Sequence, residues 1–104
     1  MRRKQFIIDN MMKSRIVDFL KEYYATTCLG IYLGGSHSST SDKYPHEYSD
    51  IDIYVINNVV SNISDDQPCA RSITSGLGRK ISIYNVNEKF ETSVCKNMDV
   101  LFKR

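Results

Sequence analysis

The run Asp50-Ile51-Asp52-Ile53-Tyr54-Val55-Ile56 constrains this chain more than any other segment. It opens by alternating carboxylates with isoleucines and continues in aromatic and β-branched residues, the composition of a strand. Side chains alternate faces along a strand, so Asp50 and Asp52 share one face while Ile51 and Ile53 point to the other. The two faces have opposite needs. The isoleucines need a core, whereas two neighbouring carboxylates repel one another and lose hydration together if they are simply buried. The chain must therefore supply partner strands, a helical layer for the apolar face, and a reason to keep two acids side by side.

The rest of the sequence supplies these parts. Apolar positions at Ile8, Met12, Ile16, Leu20 and Tyr23 or Tyr24 recur at helical spacing across residues 5–25, which predicts an amphipathic helix. Asp9 or Ser14 is its expected cap. Gly30-Ile31-Tyr32-Leu33 reads as a short buried strand that Gly34-Gly35 ends sharply. Residues 36–49 are polar and predict one helical turn after Ser36 and then an irregular loop. Residues 57–78 predict a crossing loop with a short helix over 68–73, because proline suits a first helical turn. Residues 79–86 form a third predicted strand, with Ile81, Ile83 and Asn85 on one side. From Asn87 onward, Phe90, Val94 and Met98 or Leu101 predict a closing helix that breaks near Asn97. No internal repeat and no low-complexity tract interrupts this order. The expected fold class is α/β (α+β): a small mixed sheet of about three or more strands with helices packed on one face, forming a single minimal domain over residues 1–104.

Composition excludes several functions. With 104 residues the chain has room for one domain. Its formal net charge of +2 is too small to imply nucleic-acid binding without a local basic patch. No apolar stretch is long enough for a membrane span. The apolar run after Arg2-Arg3-Lys4 stops at Asp9, too short for a secretory leader, so a cytoplasmic protein with no membrane partner is expected. Cys28, Cys69 and Cys95 lack metal-ligand spacing and read as small, mostly buried thiols.

The chemistry concentrates in two places. Asp50 and Asp52 suit a Mg²⁺ ion, a hard cation commonly held by one or two carboxylates plus substrate phosphates, and two such ions can clamp a phosphoryl displacement. Gly34-Gly35-Ser36 lies at the end of the preceding strand. Glycines there let backbone N–H groups approach a phosphate, and the Ser36 hydroxyl adds a hydrogen bond. The sequence thus offers a phosphate cradle followed by a metal-holding strand. Either part alone also reads blandly, as a turn and as a solvent-facing edge. His37 and His46 read as loop residues. Tyr44 and Tyr48 are candidates for touching a ligand.

Taken together, Gly35-Ser36, the spacer 37–49 and Ser49-Asp50-Ile51-Asp52-Ile53 resemble the polymerase-beta-like nucleotidyltransferase superfamily. With Lys89-Phe90 and Asn97-Met98-Asp99-Val100-Leu101, the chain is closest to the short predicted nucleotidyltransferases of phages and bacteria. The resemblance covers residues 28–102. It implies a nucleotidyltransferase core in which Asp50 and Asp52 are catalytic and hold Mg²⁺, while Gly34, Gly35, Ser36 and Ser49 bind the nucleotide. It implies transfer of a nucleoside monophosphate from a nucleoside triphosphate to a hydroxyl acceptor on RNA or protein. Three positions depart from the pattern. Ser82 stands where a third carboxylate is expected, Gly34 where a large apolar residue is common, and Met98 where the closer relatives have proline. The acceptor hydroxyl would then be activated by a metal-bound hydroxide or by another carboxylate, Glu88 or Asp65. Two functions follow: an enzyme, or a catalytically degenerate module that binds nucleotide or a protein partner.

Overall fold

The computed structural model describes residues 8–35 and 50–104. Helix α1 (Asn10–Tyr24) opens the described chain. Asp9 caps it: its backbone is extended and its carboxylate accepts the Met12 N–H at 2.9 Å. That bond satisfies one of the free donors of the first turn. A short 3₁₀ turn (Ala25–Thr27) leads to strand β1 (Gly30–Gly34). Strand β2 (Ile51–Asn57) follows, then the three-residue β3 (Ile63–Asp65). Helix α2 (Gln67–Leu77) has proline in its first turn, Asp66 as its cap and Gly78 in the left-handed conformation just past its end. Strand β4 (Ile81–Asn87), a 3₁₀ turn (Glu88–Phe90), the one-turn α3 (Glu91–Val94) and strand β5 (Asp99–Lys103) complete it.

The five strands form one sheet in the order β3-β4-β2-β1-β5. Only the central pair β2 and β4 is parallel, with α2 carrying the crossover, and the remaining pairs are antiparallel. The fold class is therefore the expected mixed α+β one. Helices α1 and α2 cover one face. There Ile16 and Leu20 of α1 and Cys69 and Ile73 of α2 pack on Ile31, Leu33, Ile51, Ile53, Val55, Ile81 and Ile83 of the sheet. Each such side chain contributes roughly 1.5–3 kcal/mol by leaving water. The expected stripe of α1 holds, and Tyr24 rather than Tyr23 joins it: Tyr24 packs against the core while Tyr23 stays 46% exposed. All three cysteines are buried free thiols. No helix among the described residues is long and apolar enough to cross a membrane.

Three expectations are corrected. The closing helix is not one element. It shortens to the turn 88–94, and Asp99–Lys103 pairs with β1 instead. The run Val100-Leu101-Phe102 suits a strand, and pairing there satisfies backbone groups of β1 that would otherwise form an open edge. The helices do not all lie on one face. The turn 88–94 lies across the opposite face, where Phe90, Val94 and Met98 pack against Tyr32, Tyr54, Ile56 and Val86. The crossing segment 57–78 is also more ordered than expected. It contains β3, and α2 runs on through Gly76.

Asparagines brace the end of the sheet far from the paired aspartates. Asn57 Nδ2 donates to Asn85 Oδ1 at 2.6 Å, and Asn57 Oδ1 accepts the Val59 N–H at 3.0 Å. Asn87 Nδ2 donates to the Val60 carbonyl at 2.7 Å. Buried amides of this kind must be paired, and here the pairing ties the β2–β3 turn to β4.

Candidate active site

Register builds the site. Gly34 lies opposite Asp52 on the antiparallel β1–β2 pair, and Ser82 lies beside Asp52 on the parallel β2–β4 pair. Paired residues share a face, so Gly34, Asp52 and Ser82 form one row across three strands on the face that α1 and α2 leave uncovered. The next row along is Tyr32, Tyr54 and Tyr84, with Asp65 of β3 opposite Tyr84 at its end. Tyr54 and Tyr84 stack with ring centroids 5.0 Å apart. The open face thus carries a polar row, then an aromatic row.

Asp52 is half-buried within this surface. Burial, and after it the charge of Asp50, pushes its carboxyl above the usual carboxylate range. That influence is the electrostatic sign of the pairing expected from alternation: the neighbouring charge makes Asp52 harder to ionise. Lys80 Nζ stands 3.9 Å from Asp50 Oδ2, with Lys80 exposed and Asp50 partly exposed, a contact that contributes little. The donor chemistry fits a hard divalent cation, which would relieve the repulsion. Among the described residues no group of three or more His, Cys, Asp or Glu side chains converges, so remaining ligands would come from phosphate oxygens and water.

The glycines have specific reasons to be glycine. Gly35 holds φ at 68°, and a Cβ there would run into the Asp52 carboxylate. The backbone at 35 therefore lies directly on the acid. At Gly34 a Cβ would sit 3.0 Å from Tyr54 Cε1 and 3.1 Å from Met98 Sδ. The volume a large apolar residue would occupy is filled by those two side chains, which explains the departures at 34 and 98 together. Ser36 and Ser49, along with His37, His46, Tyr44 and Tyr48, lie outside the described residues.

Beside the row, a cavity of about 430 Å³ runs along the outer edge of β4 beneath α2. Asp50, Asp65, Arg71, Lys80, Ser82 and Tyr84 are among its walls. Thr74 closes the adjacent edge of the strand, its Oγ1 accepting the Ile81 N–H at 3.0 Å. Of the two carboxylates considered as replacements for the third acid, the structure separates one from the site. Glu88 follows the far end of β4, six residues beyond Ser82 and so about 20 Å away at strand rise, and its Oε1 accepts from Asn58 Nδ2 at 3.2 Å. Asp65 shares the cavity with Asp50 and Ser82.

The aromatic row and the cavity were not foreseen. A signal was present: β2 reads Ile-Asp-Ile-Tyr-Val-Ile-Asn, β4 reads Ile-Ser-Ile-Tyr-Asn-Val-Asn, and the two pair residue for residue from Ile51↔Ile81 to Asn57↔Asn87. Two segments with the same alternation, laid parallel, put 52 beside 82 and 54 beside 84.

Comparison with known proteins adds the fold's context. No family model and no curated protein matches the chain. Solved structures do. A mutant of the toxin–antitoxin complex MntA-HpeT is 20% identical, with a TM-score of 0.63 over 88% of this chain and 73% of the other. A toxin–antitoxin structure with AMP-PNP is 22% identical, with the same TM-score and coverage. The complex of tri-AMPylated Shewanella oneidensis HEPN toxin with MNT antitoxin gives 20% identity and a TM-score of 0.60, over 93% of this chain and 74% of the other. At these identities the likeness is one of fold alone: the mixed sheet with its helices is shared with these toxin–antitoxin structures.

Proposed function

We propose that this chain is a minimal, single-domain, Mg²⁺-dependent nucleotidyltransferase of the cytoplasm, moving a nucleoside monophosphate from a nucleoside triphosphate to a hydroxyl of a protein partner. The observation that carries this reading is the row Gly34–Asp52–Ser82, with Asp50 at its rim and the backbone of Gly35 against the Asp52 carboxylate. Asp50 and Asp52 would hold the cation, which when bound neutralises charge on the transferring phosphate. The N–H groups at Gly34 and Gly35, with Ser36 and Ser49, would cradle the phosphate tail. A protein acceptor is favoured over RNA by two observations. The cavity beside the row has both acidic and basic walls, Asp50 and Asp65 against Arg71 and Lys80, where a polyanion would want a basic groove. One structural neighbour comes from a complex of a tri-AMPylated toxin with its antitoxin.

The test is pyrophosphate release from each of the four Mg·nucleoside triphosphates with N-acetylated serine, threonine and tyrosine amides present as hydroxyl acceptors. Asp50→Ala is expected to abolish release with the fold intact by circular dichroism; release at the wild-type rate in that variant would remove Asp50 from the machinery.

A second reading is favoured by Ser82, which can neither ligate a metal as a carboxylate does nor take a proton. The chain would then be a nucleotidyltransferase-fold module that binds nucleotide or a protein partner without turnover. Restoring the acid discriminates. Turnover that appears only in Ser82→Asp means a decayed site, and turnover in the wild type means a working one.

A further inference from the structure

If the row transfers a nucleotidyl group, some group must take the proton of the acceptor hydroxyl, and Ser82 cannot. Three carboxylates line the cavity on the Ser82 side of the row: Asp50, Asp65 and Asp66. Asp50 belongs to the cation pair. Asp66 is committed elsewhere, accepting the Tyr24 hydroxyl at 2.6 Å and capping α2 through the Cys69 N–H at 3.1 Å. Asp65 remains. It lies opposite Tyr84, on the same face as Ser82 and two strand positions further along. Diagonal neighbours of this kind are about 7–8 Å apart, a gap that an acceptor oxygen above Ser82 would fill. Gln67 Nε2 donates to Asp65 Oδ2 at 2.7 Å, a bond that uses one of its two carboxylate oxygens, and Asp65 lines the cavity.

We infer that Asp65, supplied by the short edge strand β3, does the work of the missing third carboxylate by taking the proton of an acceptor hydroxyl held in the cavity between α2 and the edge of β4. The inference rests on the transferase reading above. The acceptor oxygen bonds to the α-phosphorus, the bond from that phosphorus to the pyrophosphate oxygen breaks, pyrophosphate leaves, and the hydroxyl proton passes to Asp65 and then to solvent. The place of the acid on the sheet has moved by one strand. Ser82, small and neutral, leaves room for the acceptor between Asp52 and Asp65.

The test uses the full chain, Mg·ATP, and N-acetylated serine, threonine and tyrosine amides as hydroxyl probes. It reads pyrophosphate release in single turnover and Mg·ATP affinity by calorimetry. Asp65→Asn is expected to slow release by about 100-fold or more with the affinity unchanged. Adding Ser82→Asp to that variant is expected to recover at least about tenfold, as a proton acceptor restored at the neighbouring position should; a structural lesion on β3 would not recover this way. Release at the wild-type rate in Asp65→Asn, or a loss matched by an equal loss of Mg·ATP affinity, overturns the assignment of Asp65 and leaves the transferase reading standing. A wild-type protein that binds Mg·ATP and releases no pyrophosphate with any probe overturns that reading, and this one with it.

Discussion

On β2, Ile53 is fully buried among the side chains of α1 and α2, while the next residues on either side, Asp52 and Tyr54, face away from that core. The two faces share one backbone and are built to different ends. On the helix-covered face every strand position from Ile51 to Val55 is aliphatic and sealed, and its contribution is stability. The uncovered face is half-sealed by the turn 88–94 and Met98 over its aromatic row, and is left open where two carboxylates stand together. The lesson is a division of labour: the first face makes the second affordable, because a sheet held on one side can carry repulsive charge on the other.

Substitutions on each face test the contrast. The largest expected effect is on the sealed face. Ile53→Ala should cost about 2–5 kcal/mol by denaturant unfolding, and a cost under about 1 kcal/mol would mean that the face is not close-packed. Next comes Gly35→Ala, which must place a side chain at positive φ against Asp52. It should cost about 1–3 kcal/mol of stability and weaken nucleotide binding measured by calorimetry; unchanged binding would show that the glycine turn does not touch the phosphates. Smaller still is the cover on the open face. Tyr32 donates to Glu91 Oε2 at 2.5 Å, and Lys103 Nζ lies 3.1 Å from the same oxygen, joining α3 to β1 and β5. Glu91→Gln should cost about 1 kcal/mol in the same unfolding measurement, and no cost would mean that the turn is held by Phe90 and Val94 alone.

The smallest effect has the opposite sign. Asp52 has its carboxyl held above the usual range by burial and by Asp50, so the folded chain keeps that proton more tightly than the unfolded chain does. The acid therefore costs stability once the pH exceeds the raised folded value. That cost disappears as the pH falls below the ordinary carboxylate value, where both states are protonated. Asp52→Asn should gain on the order of 0.5 kcal/mol at neutral pH and nothing below about pH 3. A loss at neutral pH would show that the acid is supported by the fold rather than repelled.

Local patterns were legible where one period governed a segment. The stripe of α1, the cap at Asp9, the strand from Asp50 and the side assignments of Ile81, Ile83 and Asn85 all follow from spacing. The closing segment was not legible, because Phe90, Val94, Met98 and Leu101 satisfy a helical period while Val100 to Phe102 are wanted by an unpaired edge of β1, a partner far away in sequence. Strand β3 escaped notice because three exposed residues carry no period at all. Within the site, Asp50, Asp52, Gly34 and Gly35 were singled out from the sequence. The Tyr54–Tyr84 stack and the place of Asp65 depend on which strands are neighbours, and so needed the sheet order.

The central claim is that the open row is a phosphate–metal site, and calorimetric titration of Mg·ATP into the wild-type protein and into Asp50→Asn tests it most directly. The account predicts binding that requires Mg²⁺ and weakens at least about tenfold, roughly 1.4 kcal/mol, in the variant. Binding indifferent to both Mg²⁺ and the substitution, or no binding to the wild type, would contradict it.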